Sequence, residues 1–144
     1  MSIWFAPTTP AHFNQRAPNS AVGHMGIEFT AVGEDSFEAR MPVDRRTHQP
    51  MGLLHGGASV LLAETLASSA CYATLDPAKQ FCVGQEINAN HLRSVREGWV
   101  TGVAKPIHRG ASSQVWEVRI SDEHGRLVCI SRVTMAVLNH RHGH

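Results

Sequence analysis

Apolar and small residues recur every three to four positions between residues 58 and 73, the period of an α-helix that buries one face. Nearly all of these side chains are aliphatic or small, so the pattern predicts a helix in the centre of the core rather than on the surface. The helix is expected to end near Pro77. The predicted buried stripe consists of Ala58, Leu61, Leu62, Thr65, Leu66, Ser69, Ala70 and Ala73.

The segments on both sides of this helix alternate between apolar and polar residues, as β-strands do. Ahead of the helix, residues 27–32 and 36–42 alternate about a turn, which predicts a hairpin. Residues 106–112 are predicted to be a connection, and residues 122–125 a hairpin turn. Four strands are predicted after the helix, over residues 81–91, 99–105, 113–121 and 127–138.

The predicted order of two strands, one long helix and four strands favours an α+β fold. In this fold, a curved antiparallel sheet wraps around one long central helix, because the sheet is the only partner that can bury the apolar stripe. Residues 1–25 are predicted to be an N-terminal segment with a short helix over residues 11–17, capped by Thr8 or Thr9 with Pro10 in its first turn. Residues 26–138 are predicted to form a single domain, and residues 139–144 a disordered tail. One edge of the sheet is expected to be free to pair with a second subunit.

Composition argues against several classes of function, among them nucleic-acid binding, membrane binding and zinc binding. At 144 residues with a formal net charge of +1, the chain has no charge excess of the kind that binds nucleic acid or acidic membranes. Its three cysteines lack the spacing of a zinc site or a disulfide framework, which favours a reducing compartment. No signal peptide or membrane-spanning apolar run is recognisable. These features predict a soluble, cytoplasmic protein without a metal site.

Two features of the long helix carry candidate chemistry. Gly56 and Gly57 stand at its start, where N–H groups without shielding side chains can meet a carbonyl or an anion. Glu64 follows seven residues after Gly57, and Ser68 lies one turn further. Burial of a carboxylate among apolar residues costs free energy, so Glu64 is a candidate functional group. A carboxylate on the helix surface is the alternative.

Three segments of the sequence resemble one family of enzymes. The first runs from Met41 to Glu64 and reads M-P-V-D-R-R-T-H-Q-P-M-G-L-L-H-G-G-A-S-V-L-L-A-E. The others are G-Q-E-I-N-A-N-H-L-R-S (Gly84 to Ser94) and V-A-K-P-I-H-R-G (Val103 to Gly110). Together they resemble the hotdog-fold acyl-CoA thioesterases of the phenylacetate-degradation type, and the resemblance extends over roughly residues 26–138.

This resemblance implies a hotdog fold and homo-oligomers built from dimers, usually tetramers. It also implies that no metal and no cofactor is needed, since CoA is part of the substrate. Active sites would lie at the dimer interface, with Gln49, His55 and Gly56 from one subunit and Glu64 and Ser68 from the other. Two-fold symmetry would then give two sites per dimer.

Thioester hydrolysis builds negative charge on the carbonyl oxygen. The N–H of Gly56 or Gly57, at the positive end of the helix dipole, is a suitable donor to stabilise that charge. Glu64 would act either as a nucleophile or as a general base on a water molecule. Ser68 would orient the water or the carboxylate. Gln49 and His55 would hold the thioester, and a helix-capping role for His55 is the alternative.

The CoA half of the substrate is expected at segments that match the substrate-binding segments of the family. Arg93 and Arg109 offer guanidinium groups to phosphates, and Gly110 allows close approach of the backbone; an ordinary basic loop is the alternative. Residues 111–113 depart from the nearest relatives, which are bulkier and more basic there. The predicted substrate-binding residues are Gly84, His91, Leu92, Arg93, Ser94, His108, Arg109, Gly110, Ala111, Ser112 and Ser113.

The predicted function is hydrolysis of aromatic or other hydrophobic acyl-CoA thioesters to the free acid and CoA. A proofreading hydrolase that removes misloaded acyl groups from an acyl carrier protein is the alternative within this class, because both substrates share the phosphopantetheine arm. A hotdog dehydratase of hydroxyacyl thioesters and a non-enzymatic acyl-CoA binding module remain as other classes, and Glu64 argues against the latter. Candidate residues for the acyl pocket are Phe13, Met25, Val60, Val83 and Met135.

Overall fold

The computed structural model describes residues 1–141 and contains three helices and six strands in that range. The elements are α1 Pro10–Asn14, α2 Ala21–His24, β1 Glu28–Val32, β2 Phe37–Val43, α3 Gly56–Ala73, β3 Gln80–His91, β4 Gly98–Arg109, β5 Ser113–Ser121 and β6 Leu127–Asn139. The strands form one antiparallel sheet in the order β1-β2-β4-β5-β6-β3, with α3 packed across it. This confirms the predicted α+β architecture of a sheet around one long helix. None of the helices in residues 1–141 is long and apolar enough to cross a membrane.

Small side chains allow α3 to lie close to the sheet. Leu62 and Leu66 are fully buried, and so are Ala63 and Ala67 beside them. Gly102 on β4 faces this contact, because a Cβ at this position would lie 2.7 Å from Cδ1 of Leu66. The missing side chain at residue 102 therefore sets the distance between the helix and the sheet.

The buried face of α3 is rotated relative to the predicted stripe. The stripe includes Leu61, Thr65 and Ser69, yet each of these is only partly buried. The sheet covers one side of the helix and leaves the side that carries these three residues partly open. The buried helix positions outside the predicted stripe are Ser59, Ala63, Ala67 and Cys71.

Strand β3 is a long edge strand. It has 12 residues, and β6 is its one neighbour in the described sheet. Residues 83–86 are exposed, and Val83 keeps 46% of its surface accessible. The opposite edge, β1, has only 5 residues. Strand β3 therefore provides the free edge that the sequence predicts.

The N-terminal segment packs on the sheet through aromatic side chains. Trp4 meets the ring of Phe37 edge-on, with ring centres 5.3 Å apart. Phe13 of α1 is buried and meets the same ring edge-on at 4.9 Å. The side chain of Asn14 both accepts from the N–H of Phe29 and donates to its carbonyl. The segment therefore contributes directly to the core.

Two short helices replace the single helix predicted near the N-terminus. Helix α1 begins as expected, with Thr9 as its cap and Pro10 in the first turn. It ends at Asn14 instead of residue 17, and α2 is absent from the prediction. Pro18 lies between the two helices and interrupts helical hydrogen bonding.

Strand β4 extends through most of the predicted connection at residues 106–112. Its pairing with β5 is shifted between Pro106 and His108, and the strand continues to Arg109. A bulge tolerates a residue without an N–H, so the proline does not end the strand.

Strand β6 extends into the predicted disordered tail. It includes Asn139, and the N–H of His140 donates to a backbone carbonyl at 2.9 Å. Pairing with the first residues of β3 holds this end of the strand, which corrects the prediction for residues 139–140. Residues 142–144 of the predicted tail lie outside the described residues.

Replacing Gly102 with alanine is expected to destabilise the fold by about 1–3 kcal/mol, because the added methyl overlaps Cδ1 of Leu66. Leu66→Ala alone should cost about 2–5 kcal/mol through the cavity that it leaves. The two losses should not add in the double variant, since a smaller side chain at residue 66 makes room for the new methyl. Urea unfolding of the four proteins measures this coupling. Additive losses would show that the two residues do not set the helix–sheet distance.

Candidate active site

The loop before α3 is fixed by hydrogen bonds around Thr47, which is 1% exposed. Its hydroxyl donates to the carbonyl of Pro42 at 2.8 Å, and its own carbonyl accepts from the N–H of His55 at 2.8 Å. Further along, the N–H of Gln49 donates to the carbonyl of Leu53 at 2.8 Å. The ends of the loop are thereby joined, so Gln49 and His55 are held beside the start of the helix.

One backbone N–H is left free at the start of α3. His55 is the N-cap: its Nδ1 accepts from the N–H of Gly57 at 2.7 Å, and its carbonyl accepts from Ala58 and Ser59. Among the described residues, the N–H of Gly56 has no acceptor. The cap therefore occupies the N–H of Gly57, whereas the N–H of Gly56 is available to donate to a ligand oxygen. Because Nδ1 of His55 accepts, the ring carries its proton on Nε2, which is available as a donor.

Six of the predicted residues line one cleft of about 370 Å³ at this end of the helix. Gly56 lies against His91, since a Cβ on Gly56 would be 2.8 Å from Nε2 of His91. The N–H groups of Leu92 and Arg93 both donate to the carbonyl of Val128, which holds the chain as it leaves β3. We call this region the amide half-site. It consists of the cleft residues Gln49, Gly56, His91, Leu92, Arg93 and Ser94 together with the capping residue His55.

Glu64 lies two helical turns further along α3 and faces strand β3. Its carboxylate rests on Gly84, where a Cβ would overlap Oε1. The pairing of β3 with β6 is shifted at Gly84, so the strand is irregular where the carboxylate lies. Among residues 1–141, no cation forms an ion pair with Glu64. One turn on, the hydroxyl of Ser68 donates to the carbonyl of Thr65 at 3.3 Å.

The tip of the β4–β5 hairpin carries the other predicted substrate-binding residues. The N–H of Gly110 donates across the tip at 2.8 Å, and a Cβ on Gly110 would lie 2.6 Å from Nε2 of His108. Just after the tip, Gln114 pairs with Met135, which pairs with Gly84. The tip is thus two strands, about 10 Å, from Gly84. We call this region the carboxylate half-site; it consists of Glu64, Ser68, Gly84, His108, Arg109, Gly110, Ala111, Ser112 and Ser113.

One chain keeps the two half-sites apart. Glu64 follows Gly56 by eight residues, which is about 12 Å along a helix. Gly84 and His91 are seven residues apart on β3, which is about 23 Å along a strand. Reacting groups have to come within about 3–3.5 Å of each other. The free N–H of Gly56 and the carboxylate of Glu64 in one chain therefore cannot act on the same carbonyl.

A second cavity, of about 230 Å³, lies between α3 and the N-terminal segment. We call it the lateral pocket. Of the predicted acyl-pocket residues, Phe13 lines it, whereas Met135 is fully buried in the core and Val83 is exposed on the sheet edge. The lining residues are Phe13, Arg16, Ala17, Val22, Phe29, Thr65, Ser68, Ser69, Tyr72 and Cys82.

The thiol of Cys82, in the wall of this pocket, and the buried thiol of Cys71 influence each other's ionisation. Cys71 is fully buried, and its hydrogen bond with Cys82, together with burial, raises the pKa of its thiol. The same hydrogen bond lowers the pKa of Cys82, which lines the pocket and donates to the carbonyl of Ser68 at 3.7 Å. Cys82 is therefore the more acidic thiol of the pair.

The structure adds residues that the sequence patterns do not single out. Ser59 is 1% exposed and lines the cleft of the amide half-site, and Arg16 lines the lateral pocket. Both depend on contacts between distant elements, so no local pattern reveals them. Thr47 differs, because its contact is local in sequence. Its hydroxyl accepts from the N–H of Asp44, three residues earlier, at 3.1 Å, and the Asp-x-x-Thr pattern of this turn is visible in the sequence. Within residues 1–141, no three His, Cys, Asp or Glu side chains lie close enough together to hold a metal ion.

Comparisons with known proteins show which class of proteins shares this fold. Residues 51–129 match the family model of the thioesterase superfamily. The chain is 52% identical over 136 residues to the 1,4-dihydroxy-2-naphthoyl-CoA hydrolase of Escherichia coli, covering 94% of this chain and 99% of that protein. It is also 52% identical over 136 residues to the proofreading thioesterase EntH of Cronobacter turicensis, covering 94% and 98%.

Solved structures give the same result. A mutant thioesterase from Pseudomonas aeruginosa matches with a TM-score of 0.95 at 48% identity, covering 96% of this chain and 100% of that one. A thioesterase from Haemophilus influenzae matches with a TM-score of 0.94 at 50% identity, covering 99% of each chain. The chain therefore belongs to the thioesterase superfamily and has its hotdog fold. It is an enzyme that hydrolyses thioesters, as the resemblance of its motifs predicts.

Replacing Gly84 with alanine is expected to displace the carboxylate of Glu64, since the added methyl would overlap Oε1. Thioester hydrolysis should slow by about 10- to 100-fold, the usual consequence of moving a reacting group by about 1 Å. The thermal midpoint should change little, because Gly84 is exposed. Gln85→Ala, at the next exposed position of β3, is the matched control and should keep the wild-type rate. A fully active Gly84→Ala enzyme would show that the carboxylate does not need this position.

Proposed function

We propose that the protein hydrolyses aromatic or other hydrophobic acyl-CoA thioesters in two active sites, each built from two chains. The separation of the half-sites within one chain carries the proposal of a two-chain site, and the similarity to the 1,4-dihydroxy-2-naphthoyl-CoA hydrolase of Escherichia coli supports the substrate class. Gly56 and Glu64 lie on the same rigid helix, eight residues apart, so a site that uses both groups needs a second copy to complete it.

The free edge of β3 offers a way to bring the second copy into place. If two β3 strands pair antiparallel about a two-fold axis, the Gly84 end of one strand lies beside the His91 end of the other. The carboxylate half-site of each chain would then face the amide half-site of its partner. This pairing would also cover the exposed edge. The proposed unit is a homodimer, and the assembly of two dimers into a tetramer stays a prediction.

Chemistry at such a site would begin with the carbonyl oxygen. The N–H of Gly56, at the positive end of α3, would stabilise the charge that develops there, and a donor of this kind contributes about 2.7–4 kcal/mol in other enzymes. Gln49 would add a second donor, because the N–H of Met51 occupies its Oε1 and leaves its amide NH₂ group to the ligand. Glu64 of the other chain would attack the thioester carbon or activate a water molecule for attack. The bond to sulfur then breaks, and CoA leaves as a thiol.

The phosphates of CoA would meet basic side chains from both half-sites. Arg93 and Arg109 are both exposed, one after β3 and the other at the end of β4. Their guanidinium groups match the geometry of phosphate oxygens. Each proposed site would thus have one arginine from each chain. No cofactor is proposed beyond the CoA of the substrate itself.

An acyl group on a carrier protein is the second candidate substrate. The chain is as similar to the proofreading thioesterase EntH of Cronobacter turicensis as to the CoA hydrolase of Escherichia coli, at 52% identity in each case. Both substrates present the same phosphopantetheine arm, but only CoA carries the additional phosphates of its nucleotide. Loss of Arg93 or Arg109 should therefore weaken turnover of CoA substrates more than turnover of a carrier protein.

Thiol release from four substrates tests the proposed activity: benzoyl-CoA, a naphthoyl-CoA, a medium-chain acyl-CoA and an aryl-acylated carrier protein. We expect hydrolysis of the aryl-CoA substrates and a loss of about 100-fold or more in Glu64→Gln, because an amide neither attacks nor accepts a proton. Glu38→Gln on β2 is the control and should keep the wild-type rates. Binding of CoA without thiol release would exclude hydrolysis of these substrates, and faster turnover of the carrier protein would favour the second candidate.

Mixed dimers test whether each site spans two chains. Gln49→Ala and Glu64→Gln each damage a different half-site, so either variant alone should be strongly impaired. A dimer of one chain of each kind has one site with both wild-type groups and one site with neither. Equal co-expression makes about half of the dimers mixed, so about a quarter of the wild-type activity should return. Mixed dimers isolated through two different tags that remain inactive would show that each site lies within one chain.

A further inference from the structure

The lateral pocket begins next to the proposed catalytic carboxylate. Thr65 directly follows Glu64 on α3, and Ser68 lies one turn after it; both residues line the pocket. An acyl group whose carbonyl is held at Glu64 therefore has this cavity of about 230 Å³ as the space beside it.

The lateral pocket combines apolar walls with one positive charge. Phe13 and Phe29 supply apolar surface, while Arg16 lines the pocket with its guanidinium 5.0 Å from the centre of the Tyr72 ring. Among residues 1–141, no carboxylate lies within ion-pair distance of Arg16. A guanidinium held against a ring but without a counter-ion is suited to bind an anion that enters the pocket.

The spacing of the helix residues sets the length of the group that fits. Tyr72 follows Glu64 by eight residues, which is about 12 Å along the helix. An extended chain of about eight carbons spans about 9 Å, since each C–C bond of about 1.5 Å advances the zigzag chain by about 1.3 Å. The far end of such a chain would reach the guanidinium that lies beside Tyr72.

We propose that Arg16 lets the lateral pocket accept, besides hydrophobic acyl groups, acyl groups that carry a carboxylate at the end remote from the thioester. This inference rests on the proposed function and adds a substrate class to it: ω-carboxyacyl-CoA thioesters of about eight carbons. The apolar walls contact the hydrocarbon part of the chain, and Arg16 pairs with the terminal carboxylate through two parallel N–H···O bonds. A plain acyl chain of the same length leaves the guanidinium without a partner.

Suberoyl-CoA and octanoyl-CoA form the matched substrate pair, because they differ only in the terminal carboxylate. In Arg16→Met, kcat/KM for suberoyl-CoA should fall by about tenfold or more, while kcat/KM for octanoyl-CoA stays within about twofold of wild type. Arg16→Lys should recover part of the selectivity, since it restores the charge. Arg45→Met changes another exposed arginine, in the loop after β2, and should affect neither substrate. Equal losses for both substrates would overturn the proposal and place Arg16 against the CoA moiety.

Binding without turnover separates this inference from the proposed function. Calorimetric titration of both CoA esters is made into Glu64→Gln and into Glu64→Gln with Arg16→Met. Suberoyl-CoA should bind about tenfold more weakly to the double variant, with octanoyl-CoA unchanged. If wild type hydrolyses neither these two esters nor benzoyl-CoA and a naphthoyl-CoA, but binding keeps this difference, the proposed function fails and the pocket assignment stands. If both esters are hydrolysed and neither rate nor affinity depends on Arg16, the pocket assignment fails and the hydrolytic proposal stands.

Discussion

A helix is a rigid spacer, and in this protein one helix carries both groups that the proposed reaction needs. The N–H of Gly56 and the carboxylate of Glu64 are two turns apart on α3, and the hydrogen bonds of the helix prevent them from approaching each other. The arrangement of the sheet matches this constraint, because the two half-sites contact β3 at positions seven residues apart, Gly84 and His91, and the outer edge of β3 is unpaired in the described sheet. A reaction that requires both groups therefore requires two chains, so the proposed activity depends on dimer formation.

The two half-sites are prepared by different local contacts. On the amide side, His55 takes the N–H of Gly57 and leaves that of Gly56, so helix capping decides which amide is offered. On the carboxylate side, Gly84 makes room for Glu64. Neither Gly56 nor Gly84 has the positive φ that favours glycine. A side chain at either position would displace the group that lies against it, an imidazole in one case and a carboxylate in the other.

The elements of the fold were predictable because periodicity reports which side of a segment is buried. Two predictions were wrong for physical reasons. Strand β4 was predicted to end before Pro106, but this proline lies at a bulge and the strand continues. The apolar period of α3 also does not show which of its apolar side chains the sheet covers and which stay partly exposed. Within the site, the spacing of Gly56 and Glu64 was predictable because helix geometry is fixed. The sequence did not show which amide is free, since that depends on the ring orientation of His55. Nor did it show that Arg16 lines a pocket, because that requires contact between elements far apart in the chain.

The two walls of the lateral pocket belong to different parts of the molecule, and only one of these parts carries Glu64. The wall on α3 belongs to the helix that carries Glu64 and is packed across the sheet. The other wall comes largely from the N-terminal segment and contains Phe13, Arg16 and Val22, which belong to neither half-site. If this pocket holds the acyl group as proposed, changes in that wall would alter the acyl group that fits while the proposed reacting groups stay in place. A duplicated copy of the gene could then acquire a new substrate through mutations in the codons for this segment alone.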